Sequence, residues 1–216
     1  MNTPIPLDPE VEVSGGPVVQ LPTAHGIFQA QAWHETGSGI EHLSVLVPVP
    51  VGATPLVRVH SECLTGDVFG SYRCDCGEQL DYALDQVQQH GGAVIYLRGQ
   101  EGRGIGLSNK LRAYALQEAG ADTVEANEQL GLPVDARSYG AAAAILRELG
   151  FQTIALLSNN PVKAERLRAL GIEVAATQPA EVPSRAENLR YLQTKRDKMN
   201  HQLTLGVPPQ SNGQLA

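Results

Sequence analysis

The chain has 216 residues, 42% of them hydrophobic and 18% charged, with a formal net charge of -7. That length buries a full core and predicts one domain. The negative balance excludes a global basic footprint for a nucleic acid polymer, and no stretch reaches the ~18 apolar residues of a membrane-spanning helix.

Residues 1–17 contain Pro4, Pro6, Pro9 and Pro17 and little periodicity, and read as a loose leader. They lack a basic start followed by an apolar run, so no signal peptide is expected. Strand-like runs follow at 18–21, 26–33, 41–47 and 55–60, with Gly37-Ser38-Gly39 as a turn. After Cys76 the period changes. Leu80, Ala83, Leu84 and Val87 recur at helical spacing, and His90-Gly91-Gly92 ends the helix. Residues 93–97 (AVIYL) form a buried strand. A glycine-rich segment at 99–106 then leads into a helix carrying Leu107, Leu111, Tyr114 and Ala115.

Residues 120–136 read as a long polar connection, a kind that is often functional. Tyr139, Ala142, Ala143 and Leu146 mark the next helix. Residues 153–157 are a strand that runs into Ser158-Asn159-Asn160-Pro161, with proline at a helix start. A helix over 162–170, a strand over 172–175 and a polar helix over 186–201 complete the order. The tail 206–216 is expected to be disordered. This succession predicts a mixed α/β fold: a β-rich N-terminal half followed by alternating helices and strands around a mixed sheet. The catalytic domain is expected to span 18–205.

All three cysteines lie in one stretch, at Cys63, Cys74 and Cys76. The odd count and the close C-x-C pair argue against a disulfide framework and for a reduced, cytoplasmic setting. Three buried small hydrophobes are one reading. Their confinement to one segment favours the other, a zinc site, because thiolates bind zinc well. With His60 as a fourth ligand the site is closed and structural. Without it one position stays open, and zinc lowers the pKa of water there to about 7. His60-Ser61-Glu62 also matches the H-x-E half of the zinc deaminase signature, with Glu as proton carrier. The P-C-x-x-C half is missing, which ranks a deaminase fold low.

The segment 98–110 (RGQEGRGIGLSNK) sits between a predicted strand and a predicted helix. It is neither a Walker A loop nor a dinucleotide fingerprint. Its glycines still let amides approach a phosphate, and Arg103 offers a forked donor. A third group comprises Asp135, Arg137 and Tyr139 at a helix start, with Ser158 and Lys163 around the later turn. Lys163 near a helix N-terminus is on the unfavourable side of the dipole, and a bound anion explains it.

Taken together, RVHSECLTGD, RCDCGEQL, QEGRGIGLSNKLRAYALQ, DTVEAN and SNNPVK resemble the GTP cyclohydrolase II family of riboflavin biosynthesis, in family order over roughly residues 21–201. The family's fused form has a further N-terminal enzyme domain, and this chain looks like the stand-alone form. The resemblance implies hydrolysis of GTP to formate, diphosphate and a diaminopyrimidinone ribosylamine phosphate by a homodimer, with one zinc per subunit and magnesium on the triphosphate. It puts the zinc on Cys63, Cys74 and Cys76. It puts GTP on Arg58, Val59, His60, Ser61, Glu62, Gln79, Glu101, Gly102, Arg103, Thr123, Ser158 and Lys163. The family's catalytic positions fall on Asp135, Arg137 and Tyr114. Ser158 departs from the expected threonine but keeps the hydroxyl. The family assigns Arg137 as nucleophile on the α-phosphate with Asp135 as base. A guanidinium normally stays protonated, so stabilising phosphoryl charge is the easier chemistry. A nucleotide-binding or structural zinc module, and a zinc hydrolase for another base, are the competing readings.

Overall fold

The computed structural model describes residues 8–199 and 201–205. The N-terminal half is antiparallel: β1 (Val13–Gly15), β2 (Val19–Thr23), β3 (Gly26–Glu35) and β4 (Glu41–Val47), with β3 pairing all three others. β5 (Leu56–Ser61) is followed by a short turn of helix, α1 (Leu64–Asp67), and by α2 (Cys76–His90), which leads to β6 (Gly92–Leu97). Then come α3 (Glu101–Gly104), α4 (Leu107–Glu118), α5 (Thr123–Gln129) and α6 (Gly140–Glu148). The chain closes with β7 (Thr153–Leu157), α7 (Pro161–Ala169), β8 (Glu173–Gln178) and α8 (Ala186–Met199). One mixed sheet runs β1-β3-β4-β6-β5-β7-β8, with β2 on β3, and its β6-β5-β7-β8 part is parallel.

The central strand β5 alternates. Val57 and Val59 pack with Ile95, Leu97, Ile154 and the α6 residues Ala142 and Ile145. Leu56 faces the second core with Phe28, Val94 and the α2 residues Ala83 and Val87. Period-2 alternation puts Arg58 and His60 on that same face. From β5 the chain crosses to β6 on one side, and from β7 to β8 on the other. In such sheets the crevice at the carboxyl ends of the strands, where the direction switches, is the ligand site. Here it lies between β5 and β7.

Two expectations change. The segment 1–17 is not a loose leader over its described part. β1 pairs antiparallel with β3, Val11 and Val13 pack on the core, and Asp8 is ion-paired with Arg166. Gly140 makes room for this arrangement, since a Cβ there would meet the Pro9 carbonyl oxygen at 2.3 Å. The 120–136 connection contains α5, because Asp122 accepts from the amides of Val124 and Glu125 while Glu125 accepts from the Asp122 amide, a complete capping box. The tail 206–216 and residues 1–7 lie outside the described residues.

Candidate active site

The cysteines converge because β5 and α2 hold them from two sides. Cys63 follows β5 and precedes α1, and Cys76 is the first residue of α2. Their three Sγ atoms lie within 4.8 Å of one another, and Cys63 and Cys74 are 3.7 Å apart. Gly66 leaves the space that they share. A Cβ at that position would stand 2.9 Å from Cys74 Sγ and 3.2 Å from Cys63 Sγ. The thiols cannot ionise independently. Hydrogen bonds from Cys74 and Cys76, with Lys110 behind them, pull the Cys63 thiol far below its ordinary value. Cys74, hydrogen-bonded to Cys63, is pushed up to about 11, and Cys76 rises too. One negative charge is thus favoured at the expense of the others, the condition that a thiophilic divalent cation relieves. Soft donors, their spacing and the clearance at Gly66 all fit zinc.

His60 is turned elsewhere. Its Nε2 lies 3.1 Å from both Asp67 carboxylate oxygens, and its ring stacks on Tyr96. Burial holds its pKa below the usual histidine value despite Asp67. Asp67 also accepts from Tyr96 Oη at 2.8 Å and from the Cys63 amide at 3.0 Å. His60 and Tyr96 therefore fix the carboxylate that fixes the Cys63 backbone.

Lys110 of α4 is buried and reaches Cys63 Sγ at 3.2 Å and Glu101 Oε1 at 2.5 Å. The other Glu101 oxygen accepts from the Leu64 amide at 2.7 Å. Glu62 Oε2 accepts from the Gly99 amide at 2.6 Å, and Ser61 Oγ donates to Gln100 at 2.7 Å. The cysteine segment and the glycine segment are thereby fastened together.

A second chain of buried bonds runs behind the C-x-C pair. Arg58 donates to Gln79 Oε1 at 2.6 Å and to the Leu157 carbonyl at 3.1 Å. Gln79 Nε2 donates to Asp75 Oδ2, and Lys195 Nζ donates to Asp75 Oδ1 at 2.8 Å. Asp75 stands at the N-cap of α2 yet makes no cap bond. It forgoes about 1 kcal/mol of local capping for these long-range partners.

The cationic side chains come from three places: Arg103 on the tight α3 turn, Arg137 on the loop before α6, and Lys163 in the first turn of α7. Arg103 sits at φ 64°, between Gly102 and Gly104, and its Nη1 and Nη2 atoms are buried without hydrogen-bond partners. The close approach of this turn to the 135–137 segment requires Gly104, where a Cβ would meet Ala136 backbone at 3.1 Å. The Ala136 amide donates to the Arg103 carbonyl at 2.9 Å. Arg137 grips Asp135 through Nε at 2.9 Å and Nη2 at 2.5 Å. Burial would drive Asp135 up, but the Arg137 bonds outweigh it and hold the carboxyl below its usual range. Burial likewise opposes the Arg137 charge, and Tyr139 and Asp135 overcome it, so the guanidinium is more firmly protonated than usual. Lys163 is buried, donates to the Val59 carbonyl at 2.7 Å, and is held well below the ordinary lysine value by burial and then by Arg58. Ser158 is buried and its Oγ accepts from the Asn160 amide at 3.1 Å. Tyr114 lies under the Arg73 guanidinium, 4.7 Å from its ring centre, and burial raises its pKa.

One cavity is lined by all the sequence-predicted residues except Val59, Asp135 and Tyr139, the last of which is buried in the core. The Val59 side chain is in the core and only its carbonyl serves the site, while Asp135 acts on the cavity through Arg137. Thr123 lines it as the first residue of α5. Sequence reasoning missed Lys110, Asp75, Tyr191, Lys195 and His201, which also line it. The capping potential of Asp75 and the polar look of α8 concealed their long-range partners. Burial, followed by Lys195, pushes His201 down to about 3.

The fold and cavity define a mixed α/β protein with a three-cysteine candidate metal site beside a cation-lined crevice. The chain belongs to the GTP cyclohydrolase II family, whose sequence model matches residues 17–179. It is 54% identical over 186 residues to riboflavin biosynthesis protein RibBA of Nocardia farcinica, covering 85% of this chain and 45% of that one. It is 50% identical over 201 residues to RibBA of Mycobacteroides abscessus, covering 90% and 48%. The chain thus spans about half the length of these curated relatives. Among solved structures it is similar to RibBX, a two-domain 3,4-dihydroxy-2-butanone 4-phosphate synthase from A. baumannii, with TM-score 0.45 and 20% identity over 78% of this chain and 40% of that one.

Proposed function

We propose that this chain hydrolyses GTP to formate, diphosphate and 2,5-diamino-6-(5-phosphoribosylamino)pyrimidin-4(3H)-one, the first step of riboflavin biosynthesis. The carrying observation is one cavity lined both by the three-thiol cluster and by Arg103, Arg137 and Lys163. Family membership and the RibBA names of the relatives support the same substrate and pathway.

Cys63, Cys74 and Cys76 would hold one zinc ion, which when bound supplies an acidified water at neutral pH for opening the guanine imidazole ring. Gln79 is oriented by Arg58 and Asp75, which leaves one N–H and one oxygen lone pair to read a base edge. Tyr114, with its raised pKa, stays protonated and is suited to donate a hydrogen bond to the substrate, while Glu62 is suited to accept a proton. Arg103, Lys163 and Ser158 take the phosphates. Arg137, protonated and gripped by Asp135, is suited to stabilise the transferring phosphoryl charge rather than to attack it. The carboxylates lining the cavity already hold partners: Asp75 holds Lys195, Glu101 holds Lys110, and Glu62 holds the Gly99 amide. They form no magnesium cage, so magnesium would ride on the triphosphate oxygens and no step is derived through it.

Val18, just before β2, with Val19 and Leu21 of β2 and Ile27 of β3, leaves large apolar groups exposed, which supports a homodimer. Three free cysteines that serve as metal ligands fit a reducing, cytoplasmic setting. No described helix is long and apolar enough to cross a membrane.

The test assays formate and diphosphate separately after incubating GTP with the zinc-loaded protein and with Cys74→Ser. Both products should form with the native chain, and Cys74→Ser should lose zinc and formate together. Full formate release by that variant, or no formate from the native protein, would overturn the assignment.

A further inference from the structure

Helix α8 lies beyond residues 17–179, which the family model matches, yet its Tyr191 and Lys195 line the cavity. Three ties bind it to the site's surroundings. Arg190 donates to the Gly120 carbonyl, Lys198 pairs with the α5 cap residue Asp122, and Lys195 pairs with Asp75. The last pair is the consequential one. Asp75 is the residue between Cys74 and Cys76, and both partners are buried, at 2% and 8% exposure. The Tyr191 ring centre lies 4.4 Å from Lys195 Nζ, a cation–π contact that adds to the hold on the ammonium.

We propose that Lys195 is a positioning residue for the C-x-C segment and for Gln79. The inference rests on reading the cysteine cluster as a zinc site. Its ammonium keeps the Asp75 carboxylate turned away from the amides of α2 that an N-terminal aspartate would otherwise cap. With Asp75 in place, Gln79 Nε2 has its acceptor and Gln79 Oε1 meets Arg58, so the amide has one orientation. The same charge compensates a carboxylate buried next to three thiols. Without Lys195, Asp75 turns to its own helix, Gln79 loses its fixed orientation, and the two C-x-C thiols lose a fixed backbone. Groups that orient metal ligands in this way act at one remove from the metal.

The test uses the full chain with Lys195→Met, which keeps the stem and removes the charge, and Lys195→Arg, which restores it. Zinc affinity is read by competition with a chromogenic chelator, thiolate geometry by the absorption bands of the cobalt(II) form, and nucleotide use by KM and kcat with GTP. Lys195→Met should bind zinc about tenfold more weakly, shift the cobalt bands, and raise KM more than it lowers kcat. Lys195→Arg should recover most of each effect. Wild-type zinc affinity and cobalt spectrum in a folded Lys195→Met protein overturn the proposal. If that variant does not fold, Asp75→Asn, which cannot form the ion pair, is read in the same way. A native chain that binds zinc but releases no formate sinks the assigned reaction and leaves the zinc and cobalt readouts decisive for Lys195.

Discussion

Lys110 Nζ stands 3.2 Å from Cys63 Sγ, so a buried ammonium faces the thiol most disposed to ionise. Three thiolates around a divalent cation leave one excess negative charge, and Lys110 offsets it at close range. Lys110→Met should therefore weaken zinc binding about tenfold, measured by chelator competition. Lys110→Arg should keep part of the affinity. Equal affinities in the methionine variant and the native protein would remove Lys110 from the account of the metal site.

Gly66 provides a steric test of the same cluster. A Cβ there would come within 3.2 Å of two of the cysteine sulfurs. Gly66→Ala should cut zinc content at least tenfold while the far-ultraviolet dichroism stays native. Stoichiometric zinc in the alanine variant would mean that the thiols ligate in some other arrangement.

Arg137 makes a forked contact with Asp135 that lysine cannot reproduce. Arg137→Lys should lower diphosphate release about 100-fold, the size expected on losing one well-placed donor to developing charge, with zinc content unchanged. Trapping a phosphorylated enzyme that maps to Arg137 under single-turnover conditions would instead favour the nucleophile.

Lys163 has a folded-state pKa depressed below its unfolded value by burial and by Arg58. Between those two values the unfolded chain carries a proton that the folded chain lacks. Stability without nucleotide therefore rises with pH across that window and falls as pH drops toward the folded value. Lys163→Met removes this burden, so its Tm should be higher and flatter with pH than that of the native protein. Its KM for GTP should rise about 10- to 100-fold, through loss of one charge-assisted contact. A lower Tm at every pH would contradict the argument.

The sequence displayed the elements whose signal is local. The Leu80–Val87 spacing in α2 and the apolar runs of β6 and β7 need only one face or two faces covered, and they were legible. The cysteine spacing showed a cluster but left the direction of His60 open, because Asp67 competes for its ring only once α1 folds back on β5. The strand at Val13 was hidden by prolines on either side, although Val11 and Val13 already alternate. The capping box at Asp122 and Glu125 was a readable signal within a segment that looked like loop. Lys195 had no local signal: its partner Asp75 is 120 residues away.

Glu101 deserves a last consequence, since its two oxygens hold the Leu64 amide and Lys110 while its own backbone belongs to the glycine turn. The glycine turn and the segment that bears the first thiol are thus coupled through this carboxylate, alongside the Glu62–Gly99 and Ser61–Gln100 bonds. On the proposed function, a nucleotide bound at the turn would also pull on the three-thiol cluster. Damage at either end should accordingly be audible at the other: a fault in phosphate grip would register in the colour of a cobalt-loaded protein before any bond in the substrate is broken.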